Sequence, residues 1–157
     1  MTDPVPARTT RAVLGALARL SLRGVISQGW AGLGDGALPD GVMVVGAVSH
    51  PRLFPRMAAI VHHGGAGTTT TAARAGVPQI IVPHLLDQHY WAGRVCALGL
   101  GPPPIPRGRL DADRLAAALR ETLDNEILAE RAQELGRRLC EEARAAPDPA
   151  SWVVAAP

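Results

Sequence analysis

The sequence contains no lysine: all 16 of its basic residues are arginines. That absence removes the phosphate loop of the G-x-x-x-x-G-K-[ST] type, which needs a lysine to reach the outer phosphates. Charge of one sign is missing too. The 16 basic residues face 14 acidic ones for a net charge of +2. The arginines fall singly or in pairs, so neither a nucleic-acid patch nor a membrane-binding stripe emerges. Cysteine is scarce: Cys96 and Cys140 fall in expected helices without ligand spacing, and read as buried or surface thiols rather than a disulfide or metal site. Residues 1–10, M-T-D-P-V-P-A-R-T-T, hold no apolar signal core, and no later apolar run approaches the ~20 residues of a membrane span. These absences point to a soluble cytoplasmic protein with no nucleic-acid partner and no membrane span.

What is present is a domain's worth of apolar residues, 47% of 157, enough to bury a real core. The rest of the chain is organised around residues 61–83, V-H-H-G-G-A-G-T-T-T-T-A-A-R-A-G-V-P-Q-I-I-V-P, followed by H-L-L-D-Q-H. A β-branched run halts at two histidines and a glycine cluster, and a small-residue helical segment opens at Thr68. Free backbone N–H groups and the positive end of a helix dipole converge at such a loop, and glycines admit a ligand close to the backbone. The expected ligand carries phosphate.

Either side of that stretch the chain alternates short apolar strands with helices. A helix is expected over 10–21, capped by Thr9 or Thr10, then strands over 24–27 and 42–45 separated by the glycine-rich loop 28–36. One helical turn follows Pro51, with strands over 59–62 and 79–82 flanking a helix over 68–75 that Gly76 ends. Residues 88–98 read as helix, 102–108 as a stiff extended linker, and Asp111 starts an amphipathic helix. A second one is capped near Asp124 or Asn125. Short continuous apolar strands without hairpin signals predict an α/β fold: a Rossmann-like parallel sheet with helices on both faces. The domain is expected over 1–146, with an irregular tail over 147–157. Ligands of such sheets bind at the carboxyl ends of the strands, where the 62–68 loop lies.

Two other chemistries fit parts of the loop. A dinucleotide fingerprint needs G-x-G-x-x-G/A. Here Gly65-x-Gly67-x-x-Thr70 lacks the third glycine, although Asp87 follows about 20 residues on. A metal site could draw on His62, His63, His84 and His89, but the first pair point apart at a strand end and no carboxylate completes a familiar triad.

The order His63-Gly64-Gly65-Ala66-Gly67-Thr68-Thr69, Gly76-Val77-Pro78, Pro83 and Asp87-Gln88 resembles the donor-binding signature of nucleotide-sugar-dependent glycosyltransferases of the two-domain glycosyltransferase-B fold. The likeness is to bacterial antibiotic glycosyltransferases and sterol glucosyltransferases. It extends to S-Q-G-W-A-G-L, V-G-A-V-S-H-P-R-L-F-P-R and L-G-L-G-P-P-P-I-P-R-G-R-L, and covers roughly residues 1–140.

The resemblance implies that His63 donates to the donor diphosphate and that Gly65, Ala66, Gly67 and Thr68 complete its cradle. An imidazole and a helix N-terminus both stabilise a leaving diphosphate as its charge grows. Asp87 and Gln88 match positions that bind the hydroxyls of the donor sugar. Trp30 falls in a loop placed by the nucleotide, although a packed loop aromatic accounts for it nearly as well. Val48 matches a position whose backbone meets the base, and where plant relatives carry a stacking Trp this chain has Ala47. The implied function is the donor-binding half of an inverting hexosyltransferase acting on a lipophilic acceptor with UDP-glucose or a dTDP-sugar, with no cofactor beyond that co-substrate and no metal. The acceptor domain that supplies the catalytic base in such enzymes has no counterpart here, so no catalytic residue is named. Met1 falls where the first strand of the domain should already have ended. The chain is accordingly expected to be inactive without an acceptor-binding domain or subunit. The alternative is a non-catalytic or vestigial nucleotide-binding protein.

Overall fold

A computed structural model describes residues 5–28, 32–34 and 37–146. Ten elements follow in chain order: α1 Pro6–Arg19, β1 Gly24–Ser27, β2 Val42–Val45, α2 His50–Leu53, β3 Ile60–His62, α3 Ala66–Ala75, β4 Gln79–Ile81, α4 Leu86–Ala97, α5 Ala112–Asp124 and α6 Glu126–Ala145. Short 3-10 turns at Phe54–Arg56 and Arg107–Arg109 complete the chain path.

All strand pairing is parallel, as the lack of hairpin signals predicts. β1 runs beside β2 with Gly24 opposite Val42 and Ser27 opposite Val45. β3 runs beside β4 with Ile60 opposite Gln79 and His62 opposite Ile81. Among the described residues the two ladders are not hydrogen-bonded to each other. Helix α1 bridges them. Its Leu17 packs on Gly24 of β1, its Thr10 hydroxyl accepts from the Gly34 N–H at 3.1 Å, and its Ala12 and Ala16 share a core with Ile80 and Val82. On the far edge of β4, the Gln79 N–H donates to the Leu100 carbonyl at 2.8 Å and the Ile105 N–H to the Ile81 carbonyl at 3.0 Å.

β4 is buried at every residue because both of its faces are covered. Ile80 packs with α1 and α5 through Ala16, Leu115 and Leu119. Ile81 points the other way, to Ala92 and Val95 of α4 and Ala132 of α6. Ile60 meets Phe54, Ala72 and Val77 on that same side. Helix α3 ends at Gly76, whose φ of 69° is left-handed. α6 crosses that end closely enough that a Cβ on Gly136 would stand 2.8 Å from the Gly76 Cα.

Several boundaries differ from the sequence expectation. α1 starts at Pro6 rather than residue 10, with Val5 at the N-cap and no side-chain cap. Proline supplies the helical φ and lacks an N–H that would go unpaired there, and Thr10 is a buried tie to Gly34 instead of a cap. α3 opens at Ala66 and α4 at Leu86, each two residues earlier than expected. Asp111 and Asn125 do cap α5 and α6, accepting from the backbone N–H groups of Arg114 at 2.8 Å and Ile127 at 3.1 Å. The expected tail 147–157 lies outside the described residues.

Candidate functional site

The site begins where β3 stops. Gly64 is buried with a φ of 88°, and a Cβ there would lie 2.7 Å from Ile81 Cγ2 and 3.1 Å from the Gln88 carbonyl oxygen. Only glycine fits, on backbone conformation and on space alike. The turn it makes delivers Gly65 as the N-cap of α3, with extended φ and ψ of −63° and 141° and no side-chain cap. The first intrahelical bond runs from the Thr69 N–H to the Gly65 carbonyl at 2.9 Å. The N–H groups of Ala66, Gly67 and Thr68 ahead of it have no acceptor among the described residues. Ala66 and Gly67 are exposed, and nothing lies within 4 Å of where a Gly67 Cβ would be. Among the described residues, N–H groups without acceptors and a positive dipole end therefore converge here, the arrangement that binds an anion.

Four threonines line the start of α3, and three of them are occupied. Thr69 donates to the Gly65 carbonyl at 3.0 Å, Thr70 to that of Ala66 at 2.9 Å and Thr71 to that of Gly67 at 2.7 Å. The Thr68 hydroxyl has no such bond among the described residues. It is the one left to meet a ligand.

The histidines divide by environment. His63 folds over the cradle, its Nε2 lying 2.6 Å from where a Gly65 Cβ would be. Burial holds its pKa below the ordinary value, with the Asp87 carboxylate pulling the other way, so at neutral pH it presents a neutral ring with one N–H to give. The His84 ring centroid stands 6.3 Å from that of His63, and the Arg107 guanidinium lies 3.4 Å from His84 Nδ1. No local sequence pattern marks Arg107. It arrives because the Ile105 N–H ties the linker back to β4. His62, in contrast, is turned into the protein, hydrogen-bonded to Gln79 and Gly64, and burial lowers its pKa to about 4.

Asp87 and Gln88 sit in the first turn of α4. Asp87 is exposed and within electrostatic reach of His63. Gln88 is only 5% exposed. Its Oε1 accepts from the His84 N–H at 2.7 Å and the Leu85 N–H at 3.1 Å. This is half of a capping box, since Leu85 has no side-chain oxygen to return the bond. The Gln88 oxygen is thus occupied by the start of its own helix. His63, Gly65, Ala66, Gly67, Thr68, Asp87 and Gln88 are thus gathered at one end of the β3–β4 ladder. Val48 lies just beyond the carboxyl end of β2 and is 36% exposed. Trp30 lies outside the described residues. The groove lined by Leu98, Leu100 and Leu135 between the end of α4 and α6 includes none of these residues.

Residues 11–156 match the family described as the erythromycin biosynthesis protein CIII-like C-terminal domain. The chain is 45% identical over 130 residues to vancomycin aglycone glucosyltransferase of Amycolatopsis orientalis, covering 79% of this chain and 30% of that protein. It is 42% identical over 124 residues to a sterol 3-beta-glucosyltransferase of Arabidopsis thaliana, covering 78% of this chain and 20% of that one. Among solved structures, the glycotransferase of kitacinnamycin superposes with a TM-score of 0.77 at 29% identity, covering 87% of this chain and 37% of that one. The glycosyltransferase VinC, solved in complex with dTDP, gives 0.68 at 33% identity, covering 85% and 36%. The chain thus spans about a fifth to a third of the length of these curated relatives. No helix among the described residues is long and apolar enough to cross a membrane. The chain belongs to the erythromycin biosynthesis protein CIII-like C-terminal domain family of glycosyltransferases, and its fold is that of one half of a glycosyltransferase-B enzyme.

Proposed function

We propose that this chain binds the diphosphate of a nucleotide-sugar, UDP-glucose or a dTDP-sugar, as the donor half of an inverting hexosyltransferase. The observation that carries the reading is the open start of α3. Among the described residues the Ala66, Gly67 and Thr68 N–H groups have no acceptor, the Thr68 hydroxyl is the one of four not bonded to the helix, and His63 sits over Gly65. A diphosphate seated there would take these donors together with the dipole end. Asp87, exposed and within electrostatic reach of His63, would accept from hydroxyls of the attached hexose, with Gln88 next to it in the first turn of α4.

Alone the chain is expected to transfer no sugar. Inverting transfer to a hydroxyl needs a base within roughly 2.6 to 3.2 Å of it. Both ring nitrogens of His62 are engaged, His84 lies against Arg107, and both stand on the donor's own side of the site. An acceptor-binding domain or subunit would bring the base. Calorimetric titration with UDP, UDP-glucose, dTDP-glucose and NAD tests the reading. Binding of the UDP or dTDP ligands, weakened by Thr68→Ala, supports it. Preference for NAD with Asp87 essential would instead favour a dinucleotide site. Glycoside made by the lone chain from UDP-glucose and a sterol, phenolic or macrolide acceptor would sink the half-enzyme reading.

A further inference from the structure

We propose that His62 is a positioning residue for the phosphate cradle: its unprotonated Nδ1 holds the Gly64 N–H and so sets the turn from which the Gly65–Thr68 donors emerge. This deepens the donor-site reading and rests on it.

The hydrogen-bond pattern admits one arrangement. The Gly64 N–H donates to His62 Nδ1 at 3.0 Å, so Nδ1 carries no proton. A neutral imidazole then has its proton on Nε2, and that N–H donates to Gln79 Oε1 at 2.9 Å. The opposite orientation of the Gln79 amide would set its NH2 against Nε2 and require both ring nitrogens to be acceptors with no proton between them, which a neutral ring cannot supply. Gln79 is fully buried, and its Nε2 has no partner among the described residues. That buried amide donor goes unmatched while its oxygen is given to His62, the pattern of a residue that fixes a tautomer rather than one that merely fills space.

The bond from Gly64 to the side chain two residues earlier copies an Asx turn, in which an Asn or Asp oxygen accepts the N–H of residue i+2. Here it closes on the one glycine of the loop whose φ is left-handed. Gly64 in turn packs between Ile81 and the first turn of α4. A relaxed turn would shift Gly65 and with it the open N–H groups of α3.

Side-chain geometry supplies variants that separate the two bonds. Asparagine places Oδ1 where histidine has Nδ1, so His62→Asn keeps an acceptor for Gly64 and gives up the donor to Gln79. Glutamine places Nε2 where histidine has Nε2, so His62→Gln keeps that donor and leaves no acceptor for Gly64. In the full chain, titrated with UDP, His62→Asn should bind within about threefold of the parent and His62→Gln about tenfold more weakly. Thermal stability should rank the two in reverse, since the Asn variant orphans both polar atoms of buried Gln79. A residue that is only structural would move affinity and stability in the same order, and that outcome overturns the proposal. Two measurements need no ligand. The wild-type imidazole 15N spectrum should show the proton on Nε2. The Gly64 amide should be protected from hydrogen exchange in the parent and in His62→Asn but not in His62→Gln. A proton on Nδ1, or equal protection in both variants, overturns the inference even with UDP binding intact. If UDP does not bind the parent, the donor-site reading fails and these two measurements alone decide the role of His62.

Discussion

β4 and β2, strands of the same kind in two different ladders, are buried very differently. In β4 every residue is buried, and the loop after β3 is pinned between Ile81 and Gln88. In β2 no residue is fully buried, and Met43 is 56% exposed. The N–H groups proposed to meet the diphosphate follow the ladder of β3 and β4. Val48, the residue expected near the base, follows that of β1 and β2. Rigid backbone donors give geometric precision, whereas a half-covered ladder opens locally at lower cost. The difference teaches that the proposed phosphate cradle stands on more deeply buried backbone than the segment proposed near the base.

The sharpest way to break that comparison is to put the same substitution after each ladder. Gly64→Ala meets both a left-handed φ and a contact of 2.7 Å, and should lower stability by about 4 kcal/mol. Gly46→Ala, with nothing within 4 Å of the new Cβ, should change it by less than about 0.5 kcal/mol. Chemical denaturation of the two variants checks this, and equal losses would remove the distinction between the ladders.

The next effect is on pH dependence. The folded pKa of His62 is about 4, lowered by burial from an ordinary value near 6.5. The native ring stays neutral where the unfolded one binds a proton, so its contribution is complete above pH 6.5 and is lost as pH falls toward 4. The drop is about 3 kcal/mol over that window. Melting curves should therefore fall with acidification more steeply in the parent than in His62→Asn. Parallel slopes would contradict the buried neutral ring.

Ligand affinity comes third. His63→Ala and Thr68→Ala should each cost about 1 to 3 kcal/mol of UDP binding. Thr70→Ala, whose hydroxyl is bonded to the Ala66 carbonyl, should cost almost nothing. The smallest effect is on the sugar: Asp87→Asn should weaken UDP-glucose by about 1 kcal/mol and leave UDP nearly unchanged. Equal losses for both ligands would move Asp87 to the phosphate or to the fold.

Much of this was legible in the residues. β1 and β2 fall where their short apolar runs place them, Gly76 ends α3 as a C-terminal glycine should, and Asp111 and Asn125 cap as their chemistry predicts. Helix starts were less legible. Thr9, Thr10 and Thr68 are good cap residues by type, yet α1 and α3 start earlier, at Pro6 and behind an N-cap of Gly65. Tertiary contacts, such as the Thr10 tie to Gly34, decided what those hydroxyls do. The residues proposed for the cradle are contiguous in one loop, so their gathering at the start of α3 was legible. The approach of Arg107 to His84 was not, since it depends on the linker brought back to β4, and the local capping by the Gln88 oxygen was hidden because its N-cap partner is a leucine.

The central claim is that a diphosphate sits on the open start of α3. The most direct measurement is the amide 1H–15N spectrum of the full chain as UDP is added. The account predicts that the amides of Gly65, Ala66, Gly67 and Thr68 shift most and saturate together. Changes centred on the groove between α4 and α6, around Leu98, Arg131 and Leu135, with the four cradle amides unmoved, would contradict it.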